Sequence, residues 1–317
     1  MGLLSGLALT IPASSAEVAP RMLLLDGAVI GPSIVVVGER GTILRSTDSG
    51  KTWANAPSGT TAALTGITFA ADNRTGWAVG HDALVLATSD GGRTWQKQWQ
   101  GENLTDSFLD VLTFDANHVL AVGAFGLCMA TNDGGRTWTR REILEEDSHL
   151  NRLTRGSSGT FYLAGEHGTL MRSLDRGVTW RTIKSSYEGS FYGILPLDIR
   201  TLVAYGLRGR IYRSTDNGER WQAVPNEPPA LIATAVRLSR GTIVAAGQAR
   251  TLFVSSDEGR TFRAVPSGLT TAIAELIEAP DGSILALGEA GVSVIEVGRI
   301  IPNPPPEESC PPQPAAR

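Results

Sequence analysis

Short apolar runs separated by turn residues recur along the chain at a fixed spacing. In the second such unit, Leu64, Ile67 and Phe69 mark one strand and Val79-Gly80 ends another. A short turn leads to Leu84-Val85-Leu86-Ala87-Thr88, and a glycine-containing hairpin opens onto a strand that starts at Trp95. The unit reads VVVGERGTILRSTDSGKTW up to Trp53, WAVGHDALVLATSDGGRTW up to Trp95 and LAVGAFGLCMATNDGGRTW up to Trp138. It returns as YLAGEHGTLMRSLDRGVTW up to Trp180, VAYGLRGRIYRSTDNGERW up to Trp221 and VAAGQARTLFVSSDEGRTF up to Phe262. A last copy, LALGEAGVSVIEV, starts at Leu285 and lacks the closing motif. The anchoring glycines Gly38, Gly80, Gly123, Gly165, Gly206, Gly247 and Gly288 are spaced 42, 43, 42, 41, 41 and 41 residues apart.

Seven copies at this period, built of four short strands in the first six, predict an all-β fold: a seven-bladed β-propeller of four-stranded blades. One blade cannot bury both faces alone, so stability comes from stacking neighbours around a closed ring. The propeller is expected over residues 17–300. Copy seven supplies only three strands. Its outer strand is expected from Glu17–Arg21, which would tie the ends together and remove exposed edges, or else from Gly298-Arg299-Ile300-Ile301.

Composition narrows the function. A net charge of −4 and 19% charged residues argue against a nucleic-acid binder that relies on a general basic surface. Two cysteines, Cys128 and Cys310, build no disulfide framework, and His81, His118, His149 and His167 show no metal-ligand spacing, so neither a metal nor another cofactor is expected. Residues 1–16, MGLLSGLALTIPASSA, read as a truncated signal peptide that lacks its basic start, which predicts an exported, periplasmic (or lumenal) protein. No run reaches the roughly 18 apolar residues of a spanning helix. Residues 301–317 form a Pro-rich tail unable to hold a packed element.

Each hairpin reads Ser/Thr-x-Asp-x-Gly-x-Thr-Trp, carrying Asp48, Asp90, Asp133, Asp175, Asp216 and Asp257, closed by Trp53, Trp95, Trp138, Trp180 and Trp221 or by Phe262. Asp accepts backbone N–H bonds across a tight loop, Gly supplies the positive φ, and Trp covers the apolar side, so a structural role is expected. These motifs resemble the Asp-boxes (bacterial neuraminidase repeats) of sialidase-like propellers. With a strand-ending glycine at fixed distance before each box (Val-Gly-x-x-Gly at Val37–Gly41 and Val122–Gly126), seven copies and no inserted domain, the chain most resembles a bacterial relative of the photosystem II assembly/stability factor family. That resemblance implies a non-enzymatic scaffold binding a membrane-protein or envelope-complex partner; a monomer is favoured, with the oligomeric state left open. It implies no catalytic residues. The alternative is a carbohydrate-active enzyme or lectin working at the channel mouth. Sialidases, however, carry an early Arg-Ile-Pro motif, and the only comparable string here, Arg299-Ile300-Ile301-Pro302, has an extra residue and lies at the wrong end.

Two surfaces are candidates for binding. Aligning the starts of the innermost strands puts Asp26, Thr65, Asp110, Asn151, Tyr192 and Glu275 in a ring at one mouth of the central channel, acidic at three positions. Asp26 and Glu275 would be neighbours across the closure, where like charge raises a carboxyl pKa. The second candidate is an arginine face over blades three and four: Arg140, Arg141, Arg152, Arg155, Arg172 and Arg181. Arginine suits bidentate contacts with acidic groups of a partner.

Overall fold

The computed structural model describes residues 22–300 apart from 145 and 249. The expected leader (1–16), the expected closing segment Glu17–Arg21 and the Pro-rich tail lie outside the described residues. Each repeat folds as one antiparallel sheet whose strands follow chain order from the axis outward. In blade one these are Leu24–Ile30, Ser33–Gly38, Ile43–Ser46 and Ala54–Asn55. Six sheets have four strands and the seventh has three, Ile273–Glu278, Ile284–Gly288 and Gly291–Ile295. Every innermost strand contacts those of the two neighbouring blades, and blade one's contacts blade seven's, so the ring closes.

The second strand of each blade is buried along its whole length, because other blades cover both of its faces. Its alternating side chains feed two different seams. In Ser33–Gly38, Val35 and Val37 pack with Leu64 and Ala78 of blade two, whereas Ile34 and Val36 pack with Ile277 and Leu285 of blade seven. The hydrophobic core is therefore a set of inter-blade clusters rather than one central mass.

One set of inter-blade hydrogen bonds, donated from the outer half of each blade, runs in one circular sense, whereas bonds such as Ile67 N to Asp26 and Arg237 to Leu197 O run the other way. Arg45 Nε donates to Gly91 O (2.9 Å), Gln98 Nε2 to Gly134 O (2.8 Å) and Arg141 Nη2 to Val178 O (2.9 Å). Arg172 Nη1 donates to Asn217 O (2.9 Å), Arg213 Nε to Glu258 O (2.7 Å), and Arg263 to Ile300 O. At six seams, then, a side chain of one blade grips a backbone carbonyl of the next. Among the described residues, the seam from blade seven to blade one instead has Lys51 Nζ 3.8 Å from Asp281 between largely exposed side chains.

The C-terminal alternative for the closing strand is not used as a strand over the described residues. Val297–Ile300 is a helical turn, and Ile300 is buried beside Val265, Val254 and Ile295. It occupies the place that a hairpin aromatic takes in the other seams.

Candidate functional site

The repeated glycines set the geometry of the mouth. A Cβ on Gly38 would lie 2.1 Å from Leu23 O, and one on Gly123 would lie 2.1 Å from Ser107 O. Only glycine lets the end of the second strand close onto the residue before the innermost strand. The chain then turns sharply: Glu39 N donates to Leu23 O, Ala124 N to Ser107 O, Glu166 N to His149 O and Leu207 N to Ser190 O. These turns and the starts of the innermost strands consequently share one face of the ring. The Asp-bearing hairpins sit at the perimeter of the opposite face.

Opposite each of these glycines the innermost strand carries a bulge. It is anchored by a fully buried residue: Leu24, Leu64, Phe108, Leu150, Phe191, Ile232 or Ile273. Two positions on stand Asp26, Gly66, Asp110, Arg152, Gly193, Thr234 and Glu275, the first residues paired past the bulge. The ring expected from sequence mixes two registers. Asp26, Asp110 and Glu275 belong to this set, while Thr65, Asn151 and Tyr192 are the bulged residues one position earlier. The registers differ because the apolar residues directly before Asp26, Asp110 and Glu275 (Leu25, Leu109 and Ala274) are not the buried anchors, which are Leu24, Phe108 and Ile273. Counting back from the glycine instead puts Arg152 in the ring, and that signal was present in the sequence.

The carboxylates are engaged in joining blades. Asp26 accepts from Gly27 N and, with Oδ2, from Ile67 N of blade two (2.8 Å). Asp110 repeats the device, accepting from Val111 N and from Leu153 N of blade four (2.7 Å). Glu275 Oε1 accepts from Leu276 N (3.0 Å) and from Thr234 Oγ1 of blade six (2.5 Å). The bulged residues serve the same end: Thr65 Oγ1 donates to Phe108 O (2.8 Å) and Asn151 Nδ2 to Phe191 O (2.8 Å). Tyr192 packs half-buried against the seam between blades five and six.

Arg152 crosses the channel. Its Nη2 lies 2.5 Å from Glu275 Oε2, three blades away, in an ion pair whose alignment falls short of a hydrogen bond. A quarter of the arginine side chain and 8% of the glutamate's remain accessible. Burial, reinforced by Glu275, raises the Asp26 carboxyl well above the usual range. Burial also pushes Asp110 up to about 6, against the pull of Arg152 and two backbone N–H bonds. The guanidinium is held charged: its burial opposes this, but Glu275 and the surrounding groups outweigh it. Tyr205 completes the cluster. Gly193 leaves room for its ring, a Cβ there falling 2.2 Å from the hydroxyl oxygen, and burial pushes the phenol up to about 12.

The six arginines of the second candidate do not share one surface. Arg152 is axial. Arg155 donates to Thr113 O and Phe114 O and lies over the Phe161 ring. Arg141 and Arg172 bind carbonyls of the next blade; Arg140 and Arg181 are exposed on outermost strands, and Arg155 is exposed at the end of an innermost strand. The hairpin carboxylates are likewise occupied. Asp48 Oδ1 accepts from Thr52 N (2.9 Å) and Ser46 Oγ (2.8 Å), and Oδ2 accepts from Thr52 Oγ1 (2.6 Å). These bonds, led by the Thr52 hydroxyl, hold Asp48 down to about 2. Trp53 Nε1 donates to Gly50 O. Among the described residues no group of three or more His, Cys, Asp and Glu converges as metal ligands.

What the mouth presents outward is the tip of each turn between second and third strands. Arg40, Asp82, Phe125, His167 and Arg208 all adopt φ between 52° and 58° and are exposed, Phe125 to 66%. Phe125 rests edge-on against His149 of the next blade, with ring centroids 4.8 Å apart. One backbone conformation thus displays two arginines, an aspartate, a phenylalanine and a histidine from five blades.

A family model described as photosynthesis system II assembly factor YCF48 matches residues 97–262. No curated protein sequence matches the chain. Among solved structures, YCF48 bound to D1 peptide is similar at 20% identity, over 90% of this chain and 99% of that one, with a TM-score of 0.67. YCF48 from Cyanidioschyzon merolae is similar at 17% identity, over 87% and 95%, with a TM-score of 0.70. The WD40 repeats of RRP9 match at 14% identity, over 90% and 98%, with a TM-score of 0.71. At these identities the structural likenesses speak for the fold alone. Among the described residues no helix is long and apolar enough to cross a membrane.

Proposed function

The chain belongs to the family of the photosystem II assembly factor YCF48, and from that premise we propose that it is a non-enzymatic scaffold, working on the exported side of a membrane, that binds a polypeptide segment of a membrane-protein or envelope complex. One observation carries the choice of site. Five turns at the channel mouth share a backbone, are anchored to the rim by the same hydrogen bond, and together present basic, acidic and aromatic side chains: Arg40, Asp82, Phe125, His167 and Arg208. A rigid frame with varied, exposed groups suits recognition of one extended partner. Beneath it, Asp26, Asp110, Arg152 and Glu275 form a polar floor whose groups are already committed to the fold. That arrangement favours a binding role over catalysis, which needs groups free to exchange protons or attack. The relative bound to D1 peptide supports a protein partner of membrane origin.

The test compares the wild-type chain with Phe125→Ser/Arg208→Glu and with Arg140→Glu/Arg181→Glu as baits on detergent-solubilised envelope. Mass spectrometry identifies the captured subunit, and the purified pair is then titrated. The mouth variant should bind at least tenfold more weakly and the outer-strand variant equally well. The reverse pattern would move the site to the outer strands. A wild-type chain that holds no membrane-complex subunit at micromolar concentration would overturn the scaffold reading.

A further inference from the structure

The turns at the mouth alternate around the rim with the connections that lead from one blade's outermost strand to the next blade's innermost one. Over blades two to four, backbone bonds fix this interleaving. Ala83 N donates to Asp106 O (2.8 Å) and Ala124 N to Ser107 O (3.0 Å), so the connection 101–107 lies between the turns of blades two and three. Gly126 N donates to Ser148 O (2.9 Å) and Glu166 N to His149 O (3.0 Å), which sets 146–149 between the turns of blades three and four. The segments from 81–83 to 166–168 thus form one continuous arc of loop backbone.

Two apolar side chains stand out from this arc into solvent, Leu104 at 56% exposure and Phe125 at 66%. Neither is overflow from the core. Leu104 tops a turn closed by Asn103, whose Oδ1 accepts from Thr105 N (3.2 Å) and Thr105 Oγ1 (2.8 Å). Phe125 holds a φ of 52°, a conformation unfavourable for a bulky residue, and the edge-on contact with His149 steadies its ring. The charges around the pair are of one sign. Asp82, Glu102, Glu146 and Asp147 are exposed and Asp106 and Glu166 are half-buried. Residues 81–83, 101–107, 124–126, 146–149 and 166–168 include no lysine or arginine. None of the four exposed carboxylates has an ion-pair partner among the described residues. The six acids of this arc outnumber the net charge of −4 on the whole chain. The cations of the mouth stand on other blades: Arg208 and Arg210 on blade five, Arg250 on blade six and Arg40 on blade one are exposed.

Resting on the reading of the mouth as a polypeptide-binding face, we propose that this arc receives a basic stretch of the partner, in which an apolar or aromatic side chain sits among lysines or arginines. The apolar group covers Phe125 and Leu104, the large hydrophobic side chains that the arc leaves in water. The cations face Asp82, Glu102, Glu146 and Asp147, which pair with them without breaking a salt bridge of the fold. A guanidinium also stacks favourably on an exposed aromatic ring. At physiological salt the screening length is about 8 Å, so these carboxylates act together only on a segment that lies along the arc, as an extended chain does. An acidic stretch is repelled here and meets opposite charge only at Arg40, Arg208, Arg210 and Arg250. The pattern of charge thus selects both the segment and the direction in which it crosses the mouth.

Fluorescence anisotropy with three labelled nonapeptides on the full chain tests this. One sets phenylalanine between two lysine-arginine pairs, and the others replace those cations by glutamine or by glutamate. At about 0.05 M salt the basic peptide should bind at least tenfold more tightly than either, and at about 0.5 M the difference should vanish. Glu102→Gln/Glu146→Gln/Asp147→Asn should remove the preference at an unchanged melting temperature. Phe125→Ser should weaken the basic peptide at least threefold, and Arg140→Gln/Arg181→Gln should leave it unchanged. No preference for the basic peptide, or one that survives the triple substitution, would overturn the proposal. Capture of the same membrane-complex subunit by wild type and triple variant with equal affinity would overturn it too, while the scaffold reading stands. A basic-peptide preference with no subunit captured would support the surface and refute the scaffold reading.

Discussion

Replacing Arg152 by methionine keeps most of the side-chain volume and removes the only cation of the axial cluster, leaving Glu275, Asp26 and Asp110 around one narrow channel. Two opposite charges about 4 Å apart attract by roughly 4 kcal/mol at an effective dielectric of 20, and removing one partner of a buried pair costs about 3–5 kcal/mol. A quarter of the arginine is accessible, so solvent recovers part of this. About 3 kcal/mol is the expected loss, or a fall in melting temperature of about 6–10 °C for a domain of this size. The deficit should be largest near pH 8, where Asp26 and Asp110 must ionise without the guanidinium, and should shrink towards pH 5.5, where these two take up protons. Adding Glu275→Gln should restore most of the lost stability, because it removes the uncompensated charge. Thermal unfolding followed by circular dichroism at both pH values, on wild type, both single variants and the double variant, measures all of these. A loss below 1 kcal/mol in Arg152→Met, or a deficit independent of pH, would show that the pair across the channel does not hold the ring.

Asp110 gives the wild type its own pH signature. Its folded pKa, raised to about 6, lies above the unfolded value, so the folded state binds more protons. Stability should therefore decline between about pH 4 and pH 6.5 and level off above, and Asp110→Asn should flatten that slope in urea titrations. Ser46→Ala removes the hydroxyl that accepts from Gly50 N (2.9 Å) and Asp48 N at a 1% exposed position, and should cost about 1–2 kcal/mol by urea unfolding. Arg172→Met loses the bond to Asn217 O at the seam between blades four and five. It should cost about 1–2 kcal/mol and speed amide exchange at Asn217 without changing exchange at Gly291–Ile295.

The fold was legible because a propeller writes its period into the chain. Val-Gly reports the close approach of two backbones, and Asp-x-Gly reports a hairpin closed by its own carboxylate. The site was legible only in part. Asp26, Asp110 and Glu275 were found because an acid at the head of an apolar strand is conspicuous. Arg152 was set among surface arginines, since nothing in Leu150-Asn151-Arg152 tells which of two polar neighbours is bulged out. That depends on where the partner strand ends, a pairing between residues some fifteen positions apart. The arginines that bind carbonyls in the next blade were invisible for a similar reason. Their acceptors are backbone atoms, which leave no trace in residue type.

The common direction of those seam bonds bears on how the ring is made. In each of the six, the donor precedes its acceptor in the chain, by 36 to 46 residues. As the polypeptide emerges from its N-terminus, each of the first six completed blades already presents an arginine or glutamine for a backbone carbonyl of the next. No blade has to wait for one two places ahead. Addition can proceed one blade at a time as the chain lengthens, and Arg152 meets Glu275 only when the seventh innermost strand arrives. The contact across the axis thus forms late, as the mark of a finished circle rather than as its seed.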